Sequence, residues 1–306
     1  MFLSFSPAPF VQKTRASQSA VSFGNAMIGD GGETPLALSA ESQKRDRVLR
    51  FFDNCARYRQ ALPATLEETR VYLRAHIGAV AANVAARTGL PAAELLAETR
   101  GVSALETMWD ACQSDFVVRR ELREWCSVFS LDDAKVFEYY DDMVDFYTFA
   151  YSNNTVEPNI NLLMAAPLLR DMLEHLAAAD PAAARTGQPH AALRFAHAET
   201  VIPLTAIMQL FTDGEPLRAS WSPERIAARR WRNNVVAPLA TNIALLRYEC
   251  AAPDGTESSF VELQHNEIVY PIPGCGARRL CPLDRVLRVF APILENDWDK
   301  MCAVEK

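Results

Sequence analysis

In RFAHAETVIPL, residues 194–204, a histidine and a glutamate stand two apart just ahead of an apolar run. A segment that delivers His197 and Glu199 to the N-terminus of a helix gathers a hydrogen-bond donor, an acid and the positive end of a helix dipole into a small space. That combination suits phosphate chemistry: His197 would hydrogen-bond a phosphate oxygen, and Glu199 would protonate a leaving alkoxide. Spacing alone is better described by a core histidine with both nitrogens satisfied and an acid stabilising a first helical turn. Zinc is a poor fit, because HAET lacks the second histidine of HExxH and no other histidine lies nearby in sequence.

Arg15 bears on the choice. In KTRASQSAVSFG it sits just before a helix of small residues, where a backbone can approach an anion, and a guanidinium fork matches phosphate oxygens at any working pH. Alone, it is a solvated arginine. Cys275 and Cys281 bracket GARRL in a short loop between prolines, where a disulfide can close. A metal site competes there, although the spacing is not CxxC. Cys55, Cys112, Cys126, Cys250 and Cys302 are each either buried apolar side chains or bridge halves. Asn153-Asn154-Thr155 is a glycosylation sequon, a triplet that also arises by chance.

The elements that must hold these residues can be read from periodicity. FLSFS alternates as a short strand, and QSAVSFGNAMI carries apolar residues at helical spacing. Residues 41–185 are almost wholly helical in pattern, through RVLRFFDNCARYRQ, TRVYLRAHIGAVAANVAART, VSALETMWDACQSDF, DDAKVFEYYDDMVDFYTFAY and APLLRDMLEHLAAA. Beyond them, ALRFAHAE reads as a strand ending in a loop, and VIPLTAIMQLF as a helix with Pro203 near its first turn. ATNIALLRYEC and FVELQHNEIVY form a hairpin signal around Asp254-Gly255, and CPLDRVLRVFAPIL closes as a helix. The expectation is an α/β core from residues 1–40 and 186–306, interrupted by a helical insert at 41–185. Its two ends would pack into one sheet whose loops face a cleft roofed by the helices.

Composition narrows the function. The 306 residues are 49% hydrophobic and 23% charged, as in an ordinary globular chain. A formal net charge of -7 disfavours nucleic acid as a partner, because phosphate backbones are bound through excess Lys and Arg. No run of about 18 apolar residues forms a membrane span, and MFLSFSPAPFVQKTR has neither the basic start nor the apolar core of a secretory signal.

Taken in order, these segments resemble the multiple inositol polyphosphate phosphatases, a branch of the histidine acid phosphatases whose other members mostly carry His-Asp where this chain has FAHAET. KTRASQSAVSF resembles that family's R-x-x-x-S-A segment. The resemblance continues through FFDNC, MWDAC with REWCSVF, FEYYDDMVDFY, PLLRDM, WRNNVVAPLATNIALLRYEC, HNE and PGCGARRLCPL, from about residue 10 to 290. It implies a histidine-phosphatase-like α/β domain and hydrolysis of phosphomonoesters through a phosphohistidine. By the same resemblance Arg15 clamps phosphate, His197 contacts it and Glu199 is the proton donor, with Lys13 touching substrate. The implied substrates are polyanions, inositol hexakisphosphate and its relatives, with bisphosphoglycerate as a further candidate. No cofactor is implied, and the compartment is the secretory pathway, the endoplasmic reticulum lumen or outside the cell.

One departure is serious. The family's nucleophile lies in R-H-G-x-R-x-P, and no Arg-His-Gly occurs here; the five histidines follow Ala75, Glu174, Pro189, Ala196 and Gln264. The expectation is therefore a fragment lacking that motif and the first, central strand of the sheet, with Met1 inside the second strand, and inactive alone. The alternative is a pseudophosphatase that binds polyphosphate without cleaving it.

Overall fold

A computed structural model of the chain describes residues 4–5, 8–9, 13–28, 38–99, 101–151, 160–178 and 190–304. The chain divides into two compact units. One comprises residues 1–62, 148–212 and 234–306, and the other residues 63–147 and 213–233. The helical unit is thus shorter than the 41–185 expected from periodicity, and it takes in a segment, 213–233, that the periodicity assigned to the α/β core.

Along the chain, α1 (Thr14–Ile28), α2 (Phe51–Asn54) and α3 (Ala56–Thr65) come first, α3 crossing into the helical unit at Pro63. The helical unit is built on α4 (Glu67–Thr88), α5 (Ala92–Leu95), the short antiparallel pair β4 (Glu98–Thr99) and β5 (Val102–Ser103), α6 (Ala104–Arg119) and α7 (Leu131–Phe149), whose last two residues belong to the other unit. Gly89 ends α4 at φ 75°, a left-handed conformation that an L side chain adopts only at a cost. Ser103 and Glu106 start α6 with reciprocal side-chain-to-backbone bonds, which satisfy two otherwise orphaned donors. The helices bury Val80, Ala81, Val84, Leu95, Leu105 and Phe137 against one another. Arg229 is ion-paired with Asp142, both almost fully buried, and it also reaches Glu138 at 3.1 Å; Arg232 pairs with Glu138 at 2.9 Å, so two arginines face two carboxylates.

The larger unit carries the strands. β1 (Ser4–Phe5) pairs in parallel with β6 (His190–Ala191), and β2 (Ala8–Pro9) in parallel with β3 (Leu38–Ser39). Between β2 and β3 along the chain runs α1, which buries Ala16, Ala20 and Gly24 in a stripe of small residues four apart. The hairpin around Asp254-Gly255 is present. β7 (Ile243–Ala251) and β8 (Glu257–His265) pair from Ile243↔His265 to Ala251↔Glu257, and Gly255 takes φ 83° in the turn.

Three expectations are corrected. The two ends meet in the short β1–β6 ladder but not in one sheet throughout: among the described residues β7, β8, β9 (Ile268–Tyr270) and β10 (Cys281–Pro282) form their own antiparallel sheet, separate from the short parallel ladders. FVELQHNEIVY is two strands and not one. Asn266 and Glu267 both adopt positive φ and fold β9 back onto β8, in a turn whose two left-handed residues periodicity does not register. Finally, the helix containing Pro203 starts at Ala198, so the proline lies in its interior and the Glu199 carbonyl loses its usual backbone donor.

Cys275 and Cys281 are bridged in the structure. Cys55–Cys302 and Cys112–Cys126 are also bridged, each within one unit, and Cys250 is free and exposed on β7. Asn153 lies outside the described residues.

Candidate functional site

The site is assembled in the larger unit from three pieces of chain far apart in sequence. His197 is the residue immediately before the helix Ala198–Ile207, extended at φ -128° and ψ 174°, and its side chain caps none of that helix's amides. The helix is buried on nearly all sides: Thr200, Ile202, Leu204, Thr205, Ala206 and Ile207 are each at most 5% exposed. Burial from Thr200 onward holds its head in place, as the Thr200 hydroxyl does by donating to the Leu49 carbonyl at 2.8 Å. Glu199, in the first turn, is half-buried, and none of the described residues forms a hydrogen bond or ion pair with its carboxylate.

Arg15 arrives from α1. It stands in the first helical turn and not ahead of it, because α1 begins at Thr14 with the Lys13 carbonyl accepting from the Ala16 and Ser17 amides. The small-residue stripe seats α1, and Phe23 meets Phe195 edge to face at 5.6 Å, two residues from His197. Arg15 Nε then donates to His197 Nδ1 at 3.1 Å across 182 residues of sequence. The structure therefore joins two of the four site residues that the sequence singles out. Lys13 is exposed, and its charge acts on His197 without a direct contact among the described residues.

A third piece escapes sequence reasoning. Arg50 lies 4.7 Å from the Phe52 ring and donates through Nε to Asp53 at 2.6 Å. It stands next to Leu49, whose carbonyl receives Thr200. The Asn54 amide ties this segment to the Gln43, Asp46 and Arg50 carbonyls at 2.8, 3.0 and 2.9 Å. The signal available in the sequence is the Arg50–Asp53 spacing inside RFFDNC, three apart and ready to pair on a helical turn.

The electrostatics converge on one imidazole. His197 is 9% exposed, and burial pushes its proton affinity below the ordinary histidine range. The Arg15, Arg50 and Lys13 charges push the same way, against the pull of Glu199. Its Nε2 is buried with no hydrogen-bond partner among the described residues. The double satisfaction expected of a core histidine is therefore not met among the described residues. Among the described residues no group of three or more His, Cys, Asp or Glu is set to hold a metal, and no helix is long and apolar enough to cross a membrane.

Comparison with known proteins gives the family. The family model described as histidine phosphatase superfamily (branch 2) matches residues 12–266, a span holding Arg15, Arg50, His197 and Glu199. The chain belongs to that superfamily. It is similar to multiple inositol polyphosphate phosphatase 1 of Homo sapiens, 29% identical over 74% of this chain and 46% of that protein. The namesake of Dictyostelium discoideum is 25% identical over 92% of this chain and 50% of that protein. The chain thus spans about half the length of the curated relatives it matches. Among solved structures, the apo form of Bifidobacterium longum multiple inositol polyphosphate phosphatase superposes with a TM-score of 0.61, covering 91% of this chain and 72% of that one at 17% identity, a likeness of fold.

Proposed function

We propose that this chain supplies the phosphate-binding and proton-donating half of a phosphomonoesterase site that acts on inositol polyphosphates. The observation that carries the reading is the Arg15–His197 pair, whose buried Nε2 has no partner beside the head of a buried helix. An unmet buried polar atom costs roughly 1–3 kcal/mol, which a ligand oxygen would restore. In this reading Arg15 clamps phosphate, His197 hydrogen-bonds it, Lys13 meets a further phosphate, and Glu199 protonates the leaving inositol oxygen. The substrate class rests on the names of the relatives, and a polyanion suits the cationic surroundings of His197. The bridges of the described residues fit an oxidising compartment such as the secretory pathway.

The attacking histidine of the phosphohistidine route is not supplied by these 306 residues, which contain no Arg-His-Gly. That observation also favours a second reading, a binding protein that holds polyphosphate without turning it over. Calorimetric titration with inositol hexakisphosphate, run beside a phosphate-release assay, tests both. Binding without turnover is expected, weakened at least about tenfold in Arg15→Ala, the loss of about 1.4 kcal/mol or more that a charge-assisted contact supplies. Turnover above background that survives loss of each histidine would sink the half-site reading, and so would binding indifferent to Arg15 and His197. In a family member with a complete site, the change equivalent to Glu199→Gln should lower kcat more than it raises KM.

A further inference from the structure

Arg15 and His197 do more than lie close together, and their further role rests on the phosphate-site reading above. An arginine Nε–H is a donor with no acceptor capacity, so the bond from Arg15 Nε to His197 Nδ1 at 3.1 Å requires a lone pair on Nδ1. A neutral imidazole has one proton, and with Nδ1 bare that proton stands on Nε2. Nε2 is the atom that is buried without a partner among the described residues. We infer that Arg15 is a positioning residue that sets the tautomer of His197, so that the site meets an incoming phosphate oxygen with a fixed, neutral Nε2–H donor.

The alternatives fail on the same geometry. With the proton on Nδ1, two donors would face each other and a bare Nε2 would turn its lone pair on phosphate, repelling the oxygen it should hold. With both nitrogens protonated, the ring would be a cation beside Arg15, with the charges of Lys13 from the chain ahead of α1 and Arg50 from the 43–54 segment adding to the repulsion. Glu199, on the ring's own helix, is the opposing charge, and burial outweighs it. His197 therefore does not exchange its proton where an ordinary histidine would. The two tasks are divided between neighbours: His197 holds, and Glu199 is left to donate. Arg15 in turn acts twice, once on the anion and once on the ring that contacts it.

The test is spectroscopic and uses the full 306-residue chain labelled with nitrogen-15. Long-range proton–nitrogen correlations report which ring nitrogen carries the proton. Above the ordinary histidine range, wild-type His197 is expected in the Nε2–H form, and in Arg15→Met it should become a mixture of both tautomers with a titration midpoint moved upward. His265, whose Nε2 bonds the Val236 carbonyl at 2.8 Å, serves as the internal control for folding in both proteins. An Nδ1–H tautomer in the wild type overturns the inference, as does an unchanged tautomer in a folded Arg15→Met. Addition of inorganic phosphate separates the tautomer from the functional reading. An Nε2–H signal that phosphate does not move defeats the phosphate site and leaves the tautomer standing, whereas phosphate binding to an Nδ1–H ring defeats the tautomer alone.

Discussion

His197 and His265 are both buried in the same unit, at 9% and 1% exposure, and they end in opposite conditions. His265 closes β8 with its Nε2 donating to the Val236 carbonyl at 2.8 Å and its ring set edge-on to Phe211 at 5.1 Å. That ring is anchored by the fold. His197 has its Nδ1 met by Arg15 and its Nε2 left open, at the head of a helix that burial and the Thr200–Leu49 bond hold still. The same residue type thus has its ring nitrogen met by the fold at one place and left unmet among the described residues at the other. Burial alone does not distinguish them; the accounting of each polar atom does.

Mutation of each histidine sharpens this contrast. The largest effect is expected for His265→Leu, which leaves the Val236 carbonyl without its donor and should destabilise the protein by about 1–3 kcal/mol in denaturant titration, with phosphate binding unchanged. A smaller effect comes from pH. Since the proton affinity of His197 is lower in the folded chain than in the unfolded one, its contribution is whole above the unfolded value near 6.5. As pH falls through that value the unfolded chain takes the proton first, and stability is lost until the folded ring is protonated too. Wild type should therefore lose up to about 1.4 kcal/mol per pH unit in that window relative to His197→Leu. Parallel pH profiles of the two proteins would break the comparison. The smallest effect is His197→Leu above that window, within about 0.5 kcal/mol of wild type, because the leucine fills the space and removes an unmet polar atom, while phosphate binding is lost.

Much of the site is legible without the fold. HAET preceding an apolar run draws attention to His197 and Glu199, and KTRASQSA to Arg15, but it is the ordered resemblance of these segments to a family that gives them site roles, since each alone reads as structural. The pairing of Arg15 with His197 is not legible, because it spans 182 residues and depends on how α1 seats against the chain ahead of the 198–207 helix. Arg50 escapes a sequence reading because RFFDNC reads only as helix, and its nearness to the helix head is a tertiary fact. The strand break at Asn266-Glu267 escapes for a different reason: two successive left-handed residues turn a chain sharply without interrupting its apolar spacing. Asp254-Gly255 is legible because Gly255 adopts its φ of 83° at little cost.

The most direct test of the account is a crystal structure of this chain soaked in phosphate. A phosphate oxygen about 2.7–3.2 Å from His197 Nε2, with the Arg15 guanidinium alongside and Glu199 facing the anion, is the predicted result. A phosphate bound away from the helix head, with Nε2 closed by a protein carbonyl as in His265, would contradict it.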